Sequence, residues 1–145
     1  MGKDASISKS KLVFHAAYYK VAYEALDFCD DEDKTDQDNL IDCLQDFNIV
    51  CVEKAPMSII CIIDDSSSDN NFDWSCLSGL AEFLEEGSFI EENIYDGTQL
   101  LIGTIKVIDN KKKWVRDFYE LKRNDEGLCI RGEFIENFDV DLYKD

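Results

Sequence analysis

The residue types best suited to chemistry in this chain are carboxylates, and one group of them follows its longest apolar run. Asp64, Asp65 and Asp69 lie there with three serines between them. Carboxylate and hydroxyl oxygens are the ligands that hard cations such as Ca²⁺ take. Read as a calcium loop, however, the segment has Asn70 where glycine is required and Cys76 where a bidentate glutamate is required. We therefore expect a polar loop here, without a metal or any other cofactor.

Other arrangements of catalytic residues are lacking in the sequence. There is no Gly-x-Ser-x-Gly motif and no glycine-rich phosphate loop. The single histidine, His15, lies between Phe14 and Ala16, where a packed or surface role is commoner than that of a base. Glycosidase chemistry needs one particular pair of carboxylates, and 32 Asp and Glu single out none. The sequence predicts a protein that is not an enzyme.

The cysteines do not form a recognisable metal or redox motif. No Cys-x-x-Cys pair occurs, and five of the six cysteines lie inside apolar runs. A chain of 145 residues with 45% hydrophobic residues needs no disulfide to build a core. We expect free, buried thiols and a reducing compartment for Cys29, Cys43, Cys51, Cys61, Cys76 and Cys129.

Charge is the most distinctive property of the chain. Between Val21 and Ile105 there are 21 Asp and Glu but only two basic residues, Lys34 and Lys54. The segments before and after carry about +3 and −1, so the net charge of −17 is concentrated in the middle. Such a field repels anionic molecules, attracts cationic ones and accelerates their capture. It favours a basic protein partner and disfavours nucleic acid and membranes.

The docking face is predicted on a helix with aspartates at intervals of four. Asp38, Asp42 and Asp46 share one helix face with no basic residue interleaved, an arrangement that destabilises an isolated helix. Aromatic residues near these acids, such as Phe72, Trp74 or Tyr95, would supply a buried contact. The predicted partner-binding residues are Asp30, Asp31, Glu32, Asp33, Asp36, Asp38, Asp42 and Asp46, widened by Glu85, Glu86, Glu91 and Glu92 if a third helix lies alongside.

Two classes of acidic binding protein fit this composition. The first is a bacterial immunity protein, the antidote half of a toxin–antitoxin pair, which blocks a cognate, basic, nuclease-type toxin. The second is a DNA mimic that inhibits a restriction or other DNA-binding protein, which requires carboxylates spread at phosphate-like spacing. Because the charge here is local, we place the immunity protein first and the DNA mimic second, with an adaptor or regulatory subunit as a further alternative.

A basic group of residues near the C-terminus is the one feature that favours nucleic acid. Aromatic residues are interleaved with it, as in single-strand binding surfaces. Charge balance and protection of sheet edges explain it better. The group comprises Lys106, Lys111, Lys112, Lys113, Arg116, Lys122 and Arg123, with Trp114, Phe118 and Tyr119 between them.

Targeting signals are weak. The first residues lack the apolar core of a secretory signal, and no apolar run is long enough to cross a bilayer. The start matches the loose Met-Gly-x-x-x-Ser pattern for myristoylation, which is common by chance. We expect a cytoplasmic protein.

The elements that must position these residues begin with predicted helices. Leu12, Ala16, Tyr19, Tyr23 and Leu26 recur at helical spacing and predict a helix over about 10–28.

A second helix is expected to start at Thr35 or Asp36. Its buried side is expected to hold Leu40, Ile41, Leu44 and Phe47. A third helix is expected from Trp74 to Leu84, closed by Gly87.

Strands are predicted around and after these helices. The runs 48–52 and 57–63 are β-branched and divided by Pro56, and 58–63 reads as a strand buried on both faces, with a short helix beginning at Pro56 as the alternative. Alternation from about Gln99 predicts a three-stranded meander with turns near 109–112 and 124–127. The predicted fold is a single α+β domain over 1–145, with N-terminal helices packed on an antiparallel sheet that includes this C-terminal meander.

Overall fold

The computed structural model describes residues 6–63, 77, 79–94, 99–127 and 129–139. Its main feature is a seven-stranded sheet in the order β2-β3-β1-β4-β5-β6-β7, in which every neighbouring pair is antiparallel. The fold is thus broadly α+β, but the sheet dominates and the helices are short. The strands are β1 (Ser6–His15), β2 (Ile49–Lys54), β3 (Ser58–Ile63), β4 (Phe89–Ile94), β5 (Gln99–Ile108), β6 (Lys111–Arg123) and β7 (Cys129–Asp139). The helices are α1 (Tyr19–Ala25) and α2 (Asp36–Gln45), with 3₁₀ turns at Ala16–Tyr18 and Ala81–Phe83.

The core lies on one face of this sheet. Leu12, Phe14 and Ile59 are fully buried on that face. They share it because Phe14 and Ile59 are directly opposed partners and Leu12 lies two residues before Phe14 in the same strand. They form one cluster with Tyr23 of α1 and Leu40 of α2. The two helices therefore cover the same face of the sheet.

The prediction of a helix over 10–28 is wrong in its first half. Residues up to His15 form β1, which lies in the middle of the sheet between β3 and β4. Leu12 and Phe14 alternate with less buried neighbours, a period of two that the helical spacing of Ala16, Tyr19 and Tyr23 concealed. Pairing with distant strands, which the local sequence does not encode, decides the strand.

In the described part of the predicted third helix, Leu77 is helical, residues 79–80 form a turn and Ala81–Phe83 form a 3₁₀ turn, so the helix ends before Leu84. Leu84 is already extended (φ −93°, ψ 149°) and forms a bridge with Phe14. Gly87, at φ 95°, lies in the turn before β4 and does not cap a helix. Strand β4 follows at once and was not predicted.

The C-terminal meander is confirmed. Asp109 and Asn110 form a two-residue hairpin turn with φ of 53° and 64°, as in a type I′ turn. The second turn closes through the amide of Gly127, which donates to the carbonyl of Asn124 at 2.9 Å. The expectation for β3 was wrong on one point: Ile62 is 36% exposed, so only one face of that strand is buried.

Candidate docking surface

Residues 24–46, here called the acidic segment, run from the end of α1 through α2. They contain ten Asp and Glu and one basic residue, Lys34. The α1–α2 connection is held by buried Asn39, whose Oδ1 accepts from the Asp31 amide at 2.9 Å and whose Nδ2 donates to the Asp31 carbonyl at 3.1 Å. A fixed loop therefore presents the carboxylates that flank α2.

The start of α2 follows the sequence prediction. Thr35 is extended (φ −72°, ψ 162°), and its Oγ1 accepts a hydrogen bond from the Asp38 amide at 3.1 Å. Asp36 and Asp38 lie in the first turn, where the partial positive charge of the helix N-terminus stabilises carboxylates. The helix therefore forms despite aspartates at i, i+4 spacing.

Two of the predicted docking residues are held in ion pairs within the molecule. Lys54 Nζ lies 2.8 Å from Asp38 Oδ1, and Lys34 Nζ lies 2.7 Å from Asp42 Oδ2. The hydrogen bond from Lys54 lowers the pKa of Asp38, and the hydrogen bonds to Asp42 and Asp38 raise the pKa values of Lys34 and Lys54. All four side chains are about half exposed, so each pair is weak and separable by a competing cation.

Asp36 is engaged in a different way. Its Oδ1 accepts a hydrogen bond from the hydroxyl of Tyr23 at 2.8 Å. Burial of Tyr23, with this hydrogen bond and the charge of Asp36, raises the tyrosine pKa to about 12. Asp36 therefore links α2 to α1 as well as contributing charge.

Four predicted docking carboxylates stay fully available. Asp30, Glu32, Asp33 and Asp46 are exposed, and within the described residues none of these carboxylates takes part in a hydrogen bond or ion pair. Glu24 and Asp27 are also exposed at the end of α1. The prediction did not include these last two, which fall within the helix predicted over about 10–28.

Four glutamates were predicted to widen the docking face from a third helix, and the structure does not place them on one. Glu85 and Glu86 lie in the turn before β4, and Glu91 and Glu92 lie in β4 itself. Glu92 is only 5% exposed and points to the helix-covered face with Ile90, so it cannot contact a partner. Glu91, its neighbour, lies on the opposite face of the sheet from α2. Glu91 and Glu92 lie on opposite faces because successive residues of a strand alternate between the two faces of a sheet, and this strand was not predicted from the sequence.

A groove of about 420 Å³ lies between α2 and the edge strand β2. It combines apolar Ile41 and Val52 with the two ion pairs described above. Val52 is 56% exposed, and Met57 on the following turn is 60% exposed. The sequence analysis did not single out either side chain as exposed, although the position of Met57 next to Pro56 was a usable signal.

The structure does not test the predicted aromatic contacts. Phe72, Trp74 and Tyr95 lie outside the described residues. Phe47, expected on the buried side of the second helix, lies beyond its end and is 39% exposed. It is therefore an aromatic side chain that a partner can reach beside Asp46.

The basic group on β5 and β6 does not neutralise the acidic segment. Lys122 pairs with Glu120 at 3.6 Å, and Lys112 lies over the ring of Tyr18 at 5.1 Å. Within the described residues, the ion pairs of the acidic segment involve Lys34 and Lys54 alone. Trp114, Arg116 and Phe118 are buried, so that of the three interleaved aromatic side chains Tyr119 is the partly accessible one.

No group of three His, Cys, Asp or Glu able to hold a metal ion occurs in the described part of the chain. The candidate calcium loop at Asp64, Asp65 and Asp69 lies outside it. Among the described helices, none has the length and apolar character needed to cross a membrane.

No family model matches the chain, and no curated protein or solved structure is detectably similar to it.

Proposed function

We propose that this protein is a non-catalytic acidic binding protein of the immunity type, which neutralises a basic, nuclease-type toxin. The observation that carries the proposal is the acidic segment: ten carboxylates against one lysine on a single helix–loop–helix surface. Carboxylates on such a surface replace substrate phosphates in contacts with the cationic residues of a nuclease.

The four available carboxylates give the proposed complex its speed. Complementary charge raises association rates toward about 10⁸ to 10⁹ M⁻¹s⁻¹ at low salt. An antidote must bind before the toxin acts, so fast capture is the property that this charge distribution serves.

The neighbouring groove gives the proposed complex its lifetime. Val52 lines this groove with Asp38 and Asp42, and Phe47 follows Asp46 in the chain; both apolar side chains are exposed. Charge alone seldom supplies a binding hot spot, whereas an apolar contact surrounded by polar groups does. A toxin that inserts one apolar side chain beside α2 and releases Lys34 and Lys54 from their partners would use both the apolar groove and the carboxylates.

The experiment compares two variants of equal charge. In the first, Asp30→Asn, Glu32→Gln, Asp33→Asn and Asp46→Asn remove the available carboxylates. In the matched control, four exposed acids elsewhere are neutralised: Glu82→Gln, Asp125→Asn, Glu126→Gln and Glu133→Gln.

Wild-type protein is immobilised and exposed to a lysate of the source cells at low ionic strength. The retained proteins are eluted with salt and identified. The proposal expects a basic protein whose nuclease activity is abolished by a stoichiometric amount of this chain. In stopped-flow measurements the first variant should associate at least about tenfold more slowly, with a weaker salt dependence, while the control keeps the wild-type rate. Equal rates for both variants would remove the acidic segment as the docking surface.

The same experiment identifies the other classes. A retained DNA-binding protein that duplex DNA releases indicates DNA mimicry, because the two ligands then share a site. A retained protein without toxic or DNA-binding activity indicates an adaptor. Either result overturns the immunity proposal.

A further inference from the structure

Two cysteines face each other across the first two strands of the sheet edge. Cys51 of β2 is the direct antiparallel partner of Cys61 of β3. Directly opposed residues have side chains on the same face and Cα atoms roughly 4.5 to 5.5 Å apart, which is within the range that a disulfide requires. Both thiols are free in this structure.

The two thiols are also in contact. Cys61 is completely buried, and burial, the nearby Cys51 and a hydrogen bond with the Cys51 thiol all raise the pKa of Cys61. Cys61 is therefore a protonated thiol that is shielded from oxidants in solution.

Cys51 has the opposite surroundings. It is half buried and lines the groove between α2 and β2. The ammonium of Lys54 is close enough to Cys51 to interact with it electrostatically. One cysteine of the pair is thus accessible and the other is shielded.

We propose that Cys51 and Cys61 form a reversible oxidation site, in which Cys51 reacts first with a peroxide and Cys61 resolves the product into a disulfide between β2 and β3. This proposal does not rest on the proposed function, although the site lies in the wall of the same groove.

The chemistry balances with a peroxide as the oxidant. The Cys51 thiolate attacks one oxygen of hydrogen peroxide, the O–O bond breaks, and a sulfenic acid and hydroxide are formed. The Cys61 thiol then attacks the sulfenic sulfur; the S–S bond forms, the S–O bond breaks, and the hydroxyl group leaves with the Cys61 proton as water. Two thiols are oxidised by two electrons, and the peroxide is reduced to two waters once the released proton meets the hydroxide. A thiol reductant reverses the step by exchange.

The consequence falls on the groove. Cys51 Sγ now contacts the carbonyl of Glu53 at 3.3 Å, next to the irregularity in the β2–β3 register between Cys51 and Glu53. A disulfide turns this sulfur toward β3 and fixes the edge strand that carries Val52. Oxidation therefore rearranges the wall of the groove while leaving the carboxylates of α2 unchanged.

The test uses the reduced full chain and a small excess of hydrogen peroxide. Remaining thiols are alkylated under denaturing conditions, and the chain is cleaved after acidic residues. Cleavage then places Cys51 in peptide 47–53 and Cys61 in peptide 54–64, each with a single cysteine. We expect these two peptides to be linked, with a mass lower by two hydrogen atoms and restored by dithiothreitol.

Variants separate this pair from general oxidation. In Cys51→Ser, Cys61 should stay reduced at the same dose, since it is shielded from oxidants in solution and the cysteine that reacts first is lost. Cys29→Ser, which changes an exposed cysteine elsewhere, should give the wild-type yield of linked peptide. Linkage of other cysteines, or oxidised Cys51 beside a fully alkylated Cys61, would overturn the proposal. Circular dichroism of each variant confirms that the chain tested is folded.

Discussion

Tyr23 connects the charge of the acidic segment to the stability of the core. Its ring is 2% exposed in the core, while its hydroxyl donates to Asp36 at the surface. Its pKa, raised to about 12, means that the folded chain keeps this proton where an unfolded chain has lost it. The contribution of Tyr23 is complete below about pH 10 and is lost as the pH rises through about 12.

The Tyr23→Phe variant should therefore show a weaker alkaline loss of stability. Between about pH 10 and pH 12, the wild-type free energy of unfolding should fall by up to about 2 to 3 kcal/mol more than that of the variant. Denaturant titrations at a series of pH values measure the difference. Parallel curves for the two proteins would contradict the pKa assignment.

Trp114 makes the second informative contact at this scale. Its Nε1 donates to the carbonyl of Leu77 at 2.7 Å, and the side chain is 1% exposed. The Trp114→Phe variant should lose about 2 kcal/mol of stability, because a buried carbonyl loses its donor and a cavity remains. Urea unfolding of the two proteins gives the value; a loss below about 0.5 kcal/mol would show that the site relaxes or admits water.

Among the elements, α2 depends on Thr35, the capping residue that precedes it. Thr35 supplies the hydroxyl that accepts from the Asp38 amide. The Thr35→Ala variant should be destabilised by about 1 kcal/mol, and Thr35→Ser, which keeps the hydroxyl, by much less. Thermal unfolding of the three proteins checks this order. An equal loss in both variants would assign the effect to the methyl group.

The β5–β6 hairpin depends on its two turn residues. Asn110 is at φ 64°, a conformation that glycine adopts without the steric cost of a side chain. The Asn110→Gly variant should be more stable by a few tenths of a kcal/mol, and Asn110→Val should be less stable by about 1 kcal/mol or more. Denaturant titrations measure both changes. A shift of the midpoint with an unchanged m-value shows that stability has changed and not the compactness of the denatured state.

At the scale of the whole molecule, charge and core oppose each other. A net charge of −17 on 145 residues repels itself, and the described ion pairs of the acidic segment offset two of its ten carboxylates. Salt shortens the screening length from about 30 Å at 0.01 M to about 8 Å at 0.15 M. The melting temperature should therefore rise over that range.

The clustering of carboxylates in the acidic segment predicts a difference between the two charge-neutralised variants. The variant lacking Asp30, Glu32, Asp33 and Asp46 should gain less from salt than the control, whose four neutralised charges lie outside the acidic segment. Calorimetry at the two salt concentrations measures both gains. Equal gains would mean that the carboxylates act independently.

The sequence alone determined the features that rest on neighbouring residues. The Thr35 cap, the helix that follows it and the β5–β6–β7 meander were predicted correctly, because capping, periodicity and turn residues act over a few positions. The concentration of acids was equally visible, since charge is counted residue by residue. The predicted docking role of these acids stays a prediction.

Only the tertiary structure decided the features that rest on distant partners. Residues 10–15 satisfy a helical pattern as well as a strand pattern, and pairing with β3 and β4 selected the strand. Strand pairing likewise buried Glu92 and exposed Ile62. The pairing of β2 with β3 brought Cys51 against Cys61. Each depends on which strands become neighbours, and that choice is made by burying one common face, which no local stretch of sequence specifies.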